Sequence, residues 1–204
     1  MKLEFVSHSS MIVTTEDSVI WSDPWLFGKA FNDSWSLFPD AHFRNENFNL
    51  INYIWISHEH PDHFHIPTLK SLPDFFKATV TVLFQKNNSN KVSDALRKFG
   101  YKNIVLLPHQ KFVKITPKTT VWNYQVGQMD SVLGIISPEK VLLNLNDAEI
   151  NVYDSKIIKK TLGNIDVLLN QYSIAGYNGY ADYQKHLPSD AKSILDKVYD
   201  CHTA

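Results

Sequence analysis

Between Ser57 and His65 the chain reads Ser-His-Glu-His-Pro-Asp-His-Phe-His. Within six residues, His58, His60, Asp62 and His63 supply three imidazoles and a carboxylate, donors suited to zinc and similar first-row divalent ions. Their spacing carries more than their number. In extended chain, positions i and i+2 point the same way, so His58 and His60 can grip one ion, while a turn at Pro61 redirects Asp62 and His63 toward a second. Two adjacent ions polarise a substrate oxygen and generate hydroxide from bound water, which is hydrolytic chemistry. The competing reading is a polar surface loop with a chance run of histidines, and the dense spacing weighs against it.

The elements around the cluster follow from apolar periodicity and turn residues. Leu3–Val6, Met11–Thr15 and Val19–Ser22 are short β-prone runs that predict an antiparallel meander. From Asp23 to Asn49 the pattern gives way to a long stretch dense in aromatics, which suits a loop packed over a site. Ile51–Ile56 predicts a buried strand running straight into the histidines, followed by a short helix over Pro67–Leu72. Thr79–Phe84 and Ile104–Leu107 read as strands, with a helix over Asn90–Phe99 that Gly100 can terminate. Four strand-like segments follow at Val113–Ile115, Thr120–Val126, Val132–Ile136 and Val141–Leu145. Asp154–Leu162 reads as helix, Val167–Leu169 as a strand, and Ala181–Tyr199 as helical stretches broken near Pro188. Sheet with helices, then sheet with helices, implies two β-layers between helices.

Bulk properties narrow the partners. A chain of 204 residues, 44% hydrophobic and 20% charged, predicts a single globular domain over 1–204. A net charge of -1 and no Lys/Arg block argue against a nucleic-acid or anionic-membrane partner, which leaves a small-molecule substrate. Cys201 is the sole cysteine, so neither an internal disulfide nor a thiolate zinc knuckle is expected, and a cytoplasmic location fits. The N-terminus lacks the pattern of a signal peptide, and no apolar run approaches the roughly 18 residues of a spanning helix. Oligomeric state is not legible.

His-x-His-x-Asp-His after a buried strand resembles the signature of the metallo-β-lactamase superfamily. That resemblance implies an αββα sandwich with a metal site at the sheet edges. His8-Ser9, followed by Ser22-Asp23-Pro24-Trp25-Leu26-Phe27-Gly28, resembles the branch holding ascorbate-phosphate lactonases, N-acylphosphatidylethanolamine phospholipases and the C-terminal part of CMP-N-acetylneuraminate hydroxylase. The hydroxylase likeness runs through Asp23-Pro24-Trp25-Leu26, Ala30-Phe31, and Ile56-Ser57-His58 on to Pro67-Thr68-Leu69-Lys70. It also puts Met129-Asp130-Ser131 and Leu143-Asn144-Leu145-Asn146-Asp147 on the family pattern, where the equivalent of Asp147 bridges two metals.

The resemblance thus implies His58, His60, Asp62, His63 and Asp147 as metal ligands, Asp62 and Asp147 as catalytic carboxylates, and Asp23 as the hydrogen-bond partner of a ligand histidine. The expected cofactor is one or two zinc ions, with manganese or iron as alternatives. A strand-ending Asp147 or a turn Asp23 before Pro24 would also be ordinary structural residues. The family pattern has a further histidine shortly before Met129, whereas Asn123–Gln128 contains none; Gln125 or Gln128 would be a weak substitute, and His109 reads as a turn residue. A final ligand histidine is expected beyond Tyr199, where the chain reaches Ala204, so a C-terminally shortened sandwich is predicted, with His202 beside the terminus. His8 could lie near the pocket, although a strand-end histidine explains it as well, and Arg44 could meet a substrate anion or simply lie in solvent.

The expected function is metal-dependent hydrolysis of an ester, lactone or phosphodiester. The alternative is an impaired or inactive member of the fold that binds a ligand or partner. Oxidation of a sugar nucleotide by the chain alone is disfavoured, because Cys201 by itself cannot hold an iron-sulfur module.

Overall fold

A computed structural model describes residues 1–171. The helical stretches expected over Ala181–Tyr199, together with Cys201 and His202, lie outside the described residues.

Three strands open the chain as the predicted antiparallel meander: β1 (Lys2–Ser7), β2 (Ser10–Thr14) and β3 (Val19–Ser22). The aromatic stretch then contains a two-residue hairpin, β4 (Lys29–Ala30) with β5 (Trp35–Ser36), and a 3-10 turn over Asn45–Asn49. Strand β6 (Tyr53–Ile56) lies parallel to β3 and leads to α1 (Ile66–Ser71) and α2 (Asp74–Thr79). Parallel strands β7 (Thr81–Gln85) and β8 (Asn103–Leu107) flank α3 (Lys91–Phe99) and complete a six-stranded sheet in the order β1-β2-β3-β6-β7-β8. Helix α2 was not expected, and Thr79 belongs to it rather than to a strand. Its single buried apolar residue, Phe76, gives no periodicity to read.

The second sheet is a meander of β9 (Lys111–Lys114), β10 (Thr120–Val126), β11 (Asp130–Ile136) and β12 (Val141–Asn144). Helix α4 (Val152–Leu162) then returns the chain to β13 (Val167–Leu169), parallel to β12. Helices end and begin where local chemistry says they should. Gly100 closes α3 at φ +104°, and Asn151 caps α4 reciprocally with Asp154.

The period-two alternation of the strands separates three apolar layers. Ile54 and Ile56 of β6 pack with Leu69, Phe76 and Leu96 of α1 to α3, while Trp55 between them turns to the other sheet and meets the layer of Val121, Leu133 and Leu142. On the far side of the second sheet, Trp122 and Leu143 pack with Ile158 of α4. The layers are therefore helices, sheet, sheet and helix, the αββα sandwich. Burial of each such side chain contributes roughly 1.5 to 3 kcal/mol, which fixes the strand register. Because β1, β3, β6 and β7 all run the same way, their C-terminal ends, with Ser7, Ser22, Ile56 and Gln85, meet along one edge.

Candidate metal centre

Asp23 forms the floor of the site. It follows β3 at φ +41° and is completely buried. One carboxylate oxygen accepts the Ser57 backbone N–H at 2.8 Å, and the other accepts the Ser57 hydroxyl at 2.8 Å and lies 2.9 Å from His63 Nδ1. That contact calls for a proton on His63 Nδ1 and turns Nε2 toward Asp62 Oδ2 at 3.4 Å and Asp147 Oδ2 at 3.3 Å.

His58 lies at the end of β6, with Nδ1 3.0 Å from the Ser57 hydroxyl and Nε2 2.8 Å from His60 Nδ1. Asp130, at the start of β11, places Oδ1 3.9 Å from the same His58 Nε2. Asp147 follows Asn146, whose left-handed φ of +46° and side-chain bond to Ser131 O anchor the turn. Three groups result whose ligand atoms lie within 4.8 Å of one another: His58, His60 and Asp130; His58, His63 and Asp147; and His8, Asp62 and His63.

The charges are unusual. Asp23, Asp62, Asp130 and Asp147 crowd together, and among the described residues their ion-pair partners are all histidines, with no lysine or arginine among them. Burial alone would raise the Asp62 carboxyl, but hydrogen bonds from His63 and His8 hold it well below the usual carboxylate range. Asp147 is depressed in the same way, burial being outweighed by His63 and His58. Burial opposes charge on His63, yet Asp23, Asp147 and Asp62 hold its proton far above the ordinary value; His58, buried and next to that charge, is pushed down. Asp62 Oδ1 and Asp147 Oδ1 are buried with no hydrogen-bond partner among the described residues. Buried carboxylate oxygens without a hydrogen bond beside imidazole nitrogens fit a divalent metal, since a buried polar atom left unsatisfied is expensive.

All six residues named from the sequence therefore meet: His58, His60, Asp62, His63, Asp147 and Asp23. Gln125 and Gln128 do not join them. Gln125 donates to Lys86 O, and both residues line a neighbouring cavity of about 560 Å³ together with Glu59, Lys86, Asn87 and Met129. His109 is exposed and accepts the Gln125 N–H, the turn role expected of it. His65 caps α1 and stacks on Trp25, and Arg44 is an exposed neighbour of Glu4. The aromatic stretch does cover the site, with Phe31 6.4 Å from His60 and Trp35 6.1 Å from His8.

Sequence reasoning missed Asp130 as a site residue and left His8 undecided. Asp130 was visible in the Met129-Asp130-Ser131 pattern, and the β10–β11 hairpin that brings it here was itself predictable. His8 is at the site because β1 runs in the same direction as β6, a topological fact that no local pattern reports.

Residues 2–132 match the family described as the beta-lactamase superfamily domain. A Mycobacterium tuberculosis protein named as a Rieske 2Fe-2S iron-sulfur protein is 27% identical over 184 residues, which is 85% of this chain and 34% of that protein. The cytidine monophosphate-N-acetylneuraminic acid hydroxylase of Mus musculus is 35% identical over 74 residues, 35% of this chain and 13% of the hydroxylase. The chain thus spans about a third or less of the length of these curated relatives. Among solved structures, one described as a possible metal-dependent hydrolase from Veillonella parvula aligns with TM-score 0.65 at 11% identity, over 81% of this chain and 69% of its own. CmlA, a diiron beta-hydroxylase from Streptomyces venezuelae, aligns with TM-score 0.61 at 18% identity, over 81% of this chain and 33% of its own. At such identities the likeness is one of fold.

Proposed function

Because the chain belongs to the beta-lactamase superfamily and has its metallo-β-lactamase fold, we propose that it is a metal-dependent hydrolase that cleaves an ester, lactone or phosphodiester bond of a small substrate. One observation carries the reading: among the described residues, four clustered carboxylates have histidines as their charge partners, and two of their buried oxygens have no hydrogen-bond partner.

In this reading His58, His60 and Asp130 would hold one divalent ion, Asp62 and His63 would hold a second, and Asp147 would serve both. When bound, the pair supplies Lewis-acid polarisation of a substrate oxygen and water acidified toward neutral pH. The protein's own groups do the rest. Asp23 and Ser57 hold the His63 and His58 rings through Nδ1, so that the Nε2 atoms needed for coordination face inward. Asp147 is a third exposed and ionised, and it accepts the proton released as water attacks. Asp62 is deeper and anchors rather than transfers. The adjoining cavity, with its amides and Lys86, takes the part of the substrate that does not react and favours one bearing hydroxyl or anionic groups.

The test is hydrolysis of p-nitrophenyl acetate, a homoserine lactone and bis-p-nitrophenyl phosphate by chelator-treated protein to which zinc, manganese or iron is returned. Metal-restored turnover of at least one bond class supports the proposal. Metal-bound protein inert toward all three would turn it toward the ligand-binding alternative. The relatives named as a hydroxylase and an iron-sulfur protein favour a second reading, oxidation within a longer assembly; oxygen uptake by reduced, iron-loaded protein would support that instead.

A further inference from the structure

We propose that His8, from the turn between β1 and β2, is a direct ligand of the second ion through Nε2, beside Asp62 and His63. This rests on the two-ion reading above and adds a residue that the reading leaves out.

His8 Nε2 lies 2.9 Å from Asp62 Oδ2, and the ligand atoms of His8, Asp62 and His63 fall within 4.8 Å of one another. Among the described residues, Asp62, His63 and a shared Asp147 make three protein ligands for the second ion, and His8 would occupy a further position. The ring of His8 is held in place rather than swinging freely. It packs edge-on against Trp25 at 5.4 Å, Trp35 at 6.1 Å and His63 at 6.0 Å. The Ser7 hydroxyl bonded to Trp25 O ties the turn to the same wall. The backbone of His8 has φ +40°, an uncommon conformation for a residue with a side chain.

Other histidines of the chain show what a structural role looks like. His65 Nδ1 accepts the Thr68 N–H as a helix cap, and His109 Nδ1 accepts the Gln125 N–H in a turn. Among the described residues, His8 Nε2 makes no backbone hydrogen bond and is aimed at a carboxylate whose other oxygen is buried without a hydrogen-bond partner. The remaining role for His8 is to orient Asp62 by a hydrogen bond, without touching the ion.

Cobalt(II) titration of the full chain labelled with 15N-histidine separates the two. Expected is uptake of two equivalents, with contact-shifted ring signals from His8, His58, His60 and His63. His8→Ala should keep one equivalent, lose the His8 signal, and weaken the second equivalent by more than the roughly 10- to 100-fold that loss of an orienting partner brings. His8→Asn is the second variant should His8→Ala not fold. If wild type binds two equivalents but neither variant removes a contact-shifted signal, His8 is not a ligand and the two-ion reading stands. If wild type takes up no cobalt, both proposals fall.

Discussion

The two ends of the sandwich treat carboxylates in opposite ways. At the end away from the histidines, Asp17 in the β2–β3 turn accepts the hydroxyls of Thr116 and Thr119 and the Lys118 N–H, which ties the first sheet to the β9–β10 turn. Lys118 also reaches Glu16, and the Tyr53 hydroxyl donates to Ile115 O nearby. At the histidine end, Asp62 and Asp147 each keep an oxygen with no hydrogen-bond partner among the described residues. A carboxylate that only holds structure is fully used by its own protein, whereas one kept for a ligand is left incomplete. The same two sheets are thus clamped at one end and unfinished at the other.

The sharpest way to break this contrast is at the first ligand pair. His58→Ala/His60→Ala should remove about one of the two ions and abolish hydrolysis while leaving the fold intact, checked by elemental analysis, turnover and circular dichroism. Asp147→Asn comes next: it removes the carboxylate placed between the ions, and most turnover should vanish although some metal remains, read as turnover per bound ion. Asp23→Ala acts only through His63 and Ser57, so metal affinity should fall roughly 10- to 100-fold, measured by chelator competition.

The smallest effect on the site belongs to the clamp. Asp17→Ala should lower the melting temperature and leave metal content and turnover unchanged. Burial slightly opposes ionisation of Asp17, but the Thr116 and Thr119 hydroxyls and the Lys118 N–H depress its folded-state value below the ordinary one. The stability it contributes is therefore present above the unfolded carboxylate range and disappears as pH falls through the folded value. The gap in melting temperature between wild type and Asp17→Ala should accordingly narrow in acid. A gap that widens in acid would show that the clamp does not act through the ionised carboxylate.

Much of the histidine end was legible because its chemistry is local. His58, His60, Asp62 and His63 sit in one short run after a strand whose burial could be read from Ile54, Trp55 and Ile56. Asp147 and Asp23 needed a resemblance, since an aspartate at a turn is commonplace on its own. His8 needed the topology, because its approach depends on which strands run parallel. The clamp was illegible for the same reason: Asp17 and Thr119 are 102 positions apart, and no pattern links two turns. Helix α2 was hidden by its length, six residues with one buried apolar side chain.

The central claim is that the unfinished end is finished by metal. Chelator-stripped protein, incubated separately with zinc, manganese and iron, desalted and subjected to elemental analysis, tests it directly. About two ions per chain with at least one of these metals is the predicted result. No more than trace metal with all three would contradict it.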